Sequence, residues 1–230
     1  MSGQEPVLRP FLWLWVPLAV FVVQIFIELF LPQKYYTAFH TENGPIETVQ
    51  MYILIIAVCV AVAGFLKVRN GPDLFIKMWF AVAALGCFYT AGEEISWGQH
   101  LFGWGTPEGW QEVNDQLETN LHNTSSWLDQ KPRLILELGI ITGGIFMQIV
   151  PRRWLAKLPR AVQNIVPPRV LMLTALLYLV VKVANHIGDV FGAVFFKRAS
   201  EVNEYFMYYF VLLYLLSLVR KSGLSSEAPR

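Results

Sequence analysis

Six stretches of the chain are long and apolar enough to leave water: 11–31, 47–66, 74–92, 133–150, 170–187 and 203–219. A helix rises about 1.5 Å per residue, so roughly 20 apolar residues cross the hydrocarbon of a bilayer. The pattern therefore predicts an all-α polytopic membrane helix bundle, a single integral membrane domain over 1–230. The third and fourth stretches are the shortest before polar residues resume. The first is too long for the apolar region of a secretory signal, lacks an Ala-x-Ala site and is followed by further spans, so it is expected to be retained.

The polar connectors alternate in character. One side of a six-crossing chain would carry Lys67, Arg69 and Lys77, then Arg152, Arg153, Lys157, Arg160 and Arg169, then Arg220 and Lys221. The other would carry 32–46, 93–132 and 188–202. Twelve basic residues fall on the first side and five on the second, with Lys182 inside a span. Basic loops mark the cytoplasmic face, which predicts both termini inside. Dropping one span would scramble this asymmetry. The long 93–132 connector scatters Trp97, Leu101, Phe102, Trp104, Trp110 and Trp127. That density suits short interfacial helices at the outer boundary, broken by Gly103, Gly105 and Pro107.

Composition agrees with the pattern: 55% hydrophobic and 14% aromatic content is that of a chain solvated by lipid. A net charge of +1 gives no reason to expect a nucleic-acid partner. Membrane lipid is the expected partner. Cys59 and Cys87 lie in apolar runs and are expected to pack between helices without a disulfide.

Ionisable groups in hydrocarbon cost roughly 2.5–3.5 kcal/mol each on insertion scales, so their placement is informative. The third stretch runs into Gly92-Glu93-Glu94-Ile95-Ser96-Trp97-Gly98-Gln99-His100. On a continuing helix Glu93, Ser96 and His100 share a face, and Glu94 points toward Trp97 and Gly98. Residues 114–123 read as a short helix on which Glu118 and His122 stand at i, i+4, a spacing for two ligands of one ion or for a carboxylate orienting an imidazole. Glu137 lies one turn inside the fourth span. Lys182, Asn185, His186 and Asp189 form one stripe on the fifth, and Glu201 and Glu204, followed by Tyr205 and Tyr208, open the sixth.

Fourteen of the seventeen acidic residues, and His40, His100, His122 and His186, thus sit at or beyond the outer ends of the spans. Acids and imidazoles converging at one depth suit a metal site or proton handling. Simpler roles are open too: solvated loop acids, a structural ion pair of Lys182 with Glu28 or Glu137, and a dipole-favoured Glu201 at a helix start.

The strings from Gly92 to Gln99 and from Glu118 to Asn123 resemble those of an uncharacterised family of bacterial multi-spanning membrane proteins. That resemblance covers about the central third of the chain and implies a bacterial inner-membrane location without a mechanism. Glu93-Glu94, His122 and His186 resemble the acids and histidines of CAAX-type intramembrane proteases, although no Arg follows four residues after Glu94. Ser96 and His100 match the Ser-x-x-x-His unit of the alkaline ceramidase-like superfamily, and His186 and Asp189 resemble its further zinc ligands. Its closing His-x-x-x-His is absent.

The function expected from these residues is a metal-dependent hydrolase acting on a lipid or lipid-linked substrate at the outer, periplasmic leaflet. His122, His186 and Asp189, with His100, would hold zinc. Glu93 or Glu94 would act as general base, with Ser96 the third catalytic candidate, and Glu118, Glu137, Lys182, Glu201 and Glu204 would complete the polar cluster. The substrate would enter sideways between helices. The alternatives are a metal-independent Glu/His intramembrane protease, a transporter relaying through Glu28, Glu137, Lys182 and Asp189, and a non-enzymatic assembly subunit. Against the relay, the inner halves of the spans are almost wholly apolar.

Overall fold

The computed structural model describes residues 8–32, 35, 44–112, 119–121 and 126–226, except for the side chains of 100, 101, 126–130 and 223–226. Among these residues the fold is all-α. Three long helices come first: α1 (Phe11–Phe30), α2 (Pro45–Val68) and α3 (Leu74–Glu94). Two short ones follow, α4 (Gln99–Phe102) and α5 (Glu108–Gln111). Helix α6 runs from Ser126 to Gly139, widens into a π-helical segment at Ile140–Phe146 and ends at Met147–Ile149. The short α7 (Arg152–Leu155) and α8 (Arg160–Ile165) lead to α9 (Met172–Phe191) and α10 (Ala199–Ser226).

Six of these helices, α1, α2, α3, α6, α9 and α10, are long and apolar enough to cross a membrane. The chain is a polytopic membrane helix bundle. The spans outrun the apolar stretches by a few residues, because a helix continues into the interface where its polar ends meet water. Glu93, Glu94, Asp189 and Glu201 lie on such extensions, and His186 and Glu204 fall just inside the apolar stretches.

Local signals set the helix ends. Pro45 opens α2 behind Gly44, with Glu47 in the first turn where the helix dipole favours an acid. Asp73 caps α3 by accepting the Ile76 amide at 3.2 Å. Gly192, left-handed at φ 68°, stops α9.

The bundle is organised around α10, whose apolar stretch is 72% buried against 11% for α1. In lipid there is no hydrophobic drive to bring helices together, so close contact depends on shape and on small residues. At Gly64 a Cβ would come within 2.3 Å of the Phe80 ring, so α2 and α3 touch there only because the residue is glycine. Gly144, in the π-helical segment, accommodates Phe210 and Ala175 in the same way. Outward positions such as Phe26, Leu85 and Val82 are large, apolar and exposed, as a lipid-facing surface requires.

The three basic connectors meet at one end of the bundle. Lys67 donates to the Val219 carbonyl at 3.3 Å, and Lys221 to the carbonyls of Gln163 and Asn164, each at 3.0 Å. Tyr214 donates to the Ile165 carbonyl at 2.9 Å. At the opposite end Gln50 of α2 donates to the Glu201 carbonyl at 2.7 Å. Glu28 of α1 accepts the Lys197 amide at 3.2 Å. This grouping is the one six alternating crossings demand.

Candidate functional site

Helix α3 ends at Glu94 because the following backbone leaves helical space. Ile95 sits at φ −102°, ψ 17°, and Ser96, Trp97 and Gly98 follow at φ 46°, 54° and 93°. Glycine adopts that left-handed backbone freely, whereas Ser96 and Trp97 each bear a cost of roughly 1–2 kcal/mol.

A dense set of hydrogen bonds compensates. Glu93, only 4% exposed, accepts the Trp97 indole N–H at 2.7 Å on one oxygen and the Leu121 amide at 2.6 Å on the other. The Trp97 ring lies over Gly92, where a Cβ would approach it to 2.7 Å. The buried Ser96 hydroxyl accepts Asn120 Nδ2 at 3.0 Å, and the Ser96 carbonyl accepts the Thr119 hydroxyl at 3.0 Å. Gln99 takes the Thr119 amide at 2.7 Å on its carbonyl oxygen and donates from Nε2 to the Thr106 hydroxyl at 2.8 Å. Gly92–Gln99 and Thr119–Leu121 are therefore two halves of one lock across the C-terminal end of α3.

Three expectations change here. The helix does not continue past Ile95, so Glu93, Ser96 and His100 do not share a helical face. Glu93, not Glu94, reaches Trp97, because on a helix the i+4 neighbour lies one turn above and the chain turns back at once to bring the indole over it. Thr119, Asn120 and Leu121 are not helical, so no helix carries 114–123 through them. Their backbone and side-chain groups are spent on the lock instead. Glu118, His122 and His40 lie outside the described residues, and His100 falls in α4 with its side chain outside them.

Glu94 faces the other way, into the bundle, where Tyr208 of α10 donates to its carboxylate at 2.7 Å. One turn earlier on α10, Glu204 forms an ion pair with Arg133 of α6. One turn further along α6, Glu137 pairs with Lys182 of α9 at 2.5 Å. The Tyr178 hydroxyl of α9 lies beside Glu137, and Arg133 is within electrostatic reach of both Tyr178 and Tyr208. Four helices thus contribute to one polar array, Glu94–Tyr208–Glu204–Arg133–Glu137–Lys182.

The remaining candidates stand apart. His186 and Asp189 are exposed on the last turns of α9, and Asp189 accepts from Asn185 at 3.4 Å. Glu201 lies in the first turn of α10, partly buried, where the helix dipole favours it. Among the described residues no three His, Cys, Asp or Glu side chains are grouped to hold one ion. His186 and Asp189 would need His122 or His100 to complete a zinc site.

Sequence reasoning singled out both glutamates and the Lys182–Glu137 pair. It missed Gln99, Thr119 and Asn120 as the partners of the turn and Arg133 as a member of the array, and it noted Tyr208 beside Glu204 without its link to Glu94. The signal for the turn was present in Gly98 and Gly103, left-handed positions bracketing α4. Nothing in one sequence links Tyr208 to Glu94 across 114 positions.

The fold and the array define a multi-pass membrane protein with an acid–base cluster at the end of the bundle away from its basic loops. No protein-family model matches the chain, and no curated protein and no solved structure is significantly similar to it.

Proposed function

We propose that this protein is a hydrolase of the bacterial inner membrane that acts on a lipid or lipid-linked substrate in the outer leaflet, with the basic loops and both termini in the cytoplasm. The observation that carries this reading is the partly buried Glu94 carboxylate at the outer end of α3, facing the buried Tyr208 hydroxyl beside an arginine. A carboxylate at that depth serves as proton acceptor for an attacking water, and the phenol orients it. Hydroxide would add to the ester carbon or phosphorus, the bond to the leaving oxygen would break, and the proton on Glu94 would pass to that oxygen. Arg133 supplies positive charge where negative charge develops.

In this scheme Glu93 and Ser96 hold the site's shape and do not take part in the chemistry. Zinc would enter only where His122 or His100 joins His186 and Asp189, and would lower the pKa of a bound water to roughly 7.

The test is incubation of the detergent-purified protein with a bacterial polar-lipid extract, with released fatty acids and headgroups read by mass spectrometry. Release that disappears in Glu94→Gln and falls in Tyr208→Phe supports the reading. No release from any lipid, or full activity in Glu94→Gln, overturns it. Near-stoichiometric zinc that is lost in a His122→Ala/His186→Ala double variant would add the metal to the scheme, and metal-free active protein would remove it.

A further inference from the structure

The two ion pairs are lopsided in a consistent way. The side chains of Arg133 and Lys182 are 39% and 44% exposed, whereas their partners Glu204 and Glu137 are 8% and 13% exposed. The carboxylates point into the bundle and the cations out of it. Lys182 lies nine residues inside the end of α9 at Phe191, about 14 Å of helix rise from it. Its α9 neighbours Val180 and Val183 are exposed apolar side chains, as at a lipid-facing surface.

An ammonium this far along a membrane span, open to its surroundings, is costly against hydrocarbon alone. Arg133 and Glu137 are one turn apart on α6, with Cβ atoms about 6 Å from each other, and Lys182 touches Glu137. Arg133, one turn away on α6, and Lys182, from α9, are therefore both neighbours of Glu137 where α6 faces α9. A phosphate oxygen matches both: arginine binds phosphate through its planar fork and lysine as a point charge.

We infer that the seam between α6 and α9 is a lateral site for a phosphate-bearing lipid, its headgroup between Arg133 and Lys182 and its acyl chains along the apolar faces of the same helices. The occupant is a membrane lipid and not a soluble phosphate, because the cations open sideways between two spans. This names the substrate class of the proposed hydrolase and rests on that reading only for the leaflet involved. The headgroup would sit beside Glu137 and Tyr178, with Arg133 bridging it to Tyr208 and Glu94.

The experiment is native mass spectrometry of the full chain in neutral detergent, with phosphatidylglycerol and diacylglycerol of identical acyl chains as probes. Phosphatidylglycerol should bind roughly tenfold more tightly, the size of one charge-assisted phosphate contact. The preference should vanish in Lys182→Gln/Glu137→Gln, where both partners of the pair are neutralised together and no buried charge is stranded. If that variant does not fold, the comparison of the two lipids on the parent protein still decides. Equal binding of the two lipids, or an intact preference in a folded double variant, overturns the site. Displacement of the lipid by millimolar inorganic phosphate would make it a site for free phosphate and overturn the lipid assignment. Binding without turnover would remove the hydrolase and leave this site. Turnover of neutral lipids with no phosphate preference would do the reverse.

Discussion

Replacing Glu93 by alanine tests whether this carboxylate is structural. Glu93 accepts two N–H groups, from Trp97 at 2.7 Å and from Leu121 at 2.6 Å. Hydrogen bonds to a charged group contribute roughly 1.5–3 kcal/mol each, so both together amount to about 3–6 kcal/mol. Removing the carboxylate also removes the cost of keeping it 4% exposed, which offsets part of that loss. The freed indole and amide then compete for water at that end of the bundle. A net loss of about 3 kcal/mol is expected, or roughly 6–12 °C in melting temperature for a chain of this size. The damage should be local before it is global, since Glu93 ties the turn at 95–98 to Thr119–Leu121. Thermal unfolding in detergent followed by tryptophan fluorescence reads the first effect. Hydrogen exchange reads the second, as faster exchange at Gly98 and Leu121 with α2 and α10 unchanged. A Glu93→Ala protein that melts with the parent and exchanges alike at these amides would refute the structural assignment.

Gly64→Ala would drive a Cβ to 2.3 Å from the Phe80 ring and should destabilise by about 1–3 kcal/mol, while Gly86→Ala, with nothing within 4 Å, should be neutral or slightly stabilising; melting curves of the two compare them directly. Lys182→Met strands the carboxylate of Glu137 and should cost about 3–5 kcal/mol, whereas Lys182→Met/Glu137→Gln should recover most of that loss, so additive effects in this cycle would refute the pairing. Single cysteines replacing Lys157 and Trp104, in a background lacking Cys59 and Cys87, should react with an impermeant thiol reagent on opposite membrane faces; labelling from the same face would refute six alternating crossings.

The bundle was legible because hydrocarbon thickness leaves little choice. Phe11–Phe30 and Pro45–Val68 had to be helices of that length for their backbone groups to be satisfied in lipid. The two sides were legible from Arg152, Arg153, Lys157 and Lys221, since charge asymmetry does not depend on packing. What could not be read was the direction of any side chain past the last apolar turn. At Ile95 the helix rule gave way to a left-handed turn, and with it the expected grouping of Glu93 with His100 was lost. The Lys182–Glu137 pair was within reach because two opposite charges inside spans have few alternatives. Arg133 with Glu204 was not, because both sit near the interface where water competes for either.

Convergence of acids at one depth has two different causes in this protein, and they separate Glu93 from its neighbour. Glu93 is the anchor of a strained turn: its carboxylate accepts the Trp97 indole and the Leu121 amide. Glu94 accepts the Tyr208 phenol, beside an arginine that is ion-paired with Glu204. A carboxylate that anchors strain must remain ionised and immobile, while one that accepts a proton must exchange it. In the proposed scheme the adjacent glutamates at the end of α3 therefore have roles that cannot be interchanged. Moving the proposed proton acceptor by two residues, as in Glu94→Gln with Gly92→Glu, would place a Cβ 2.7 Å from the Trp97 ring and restore nothing.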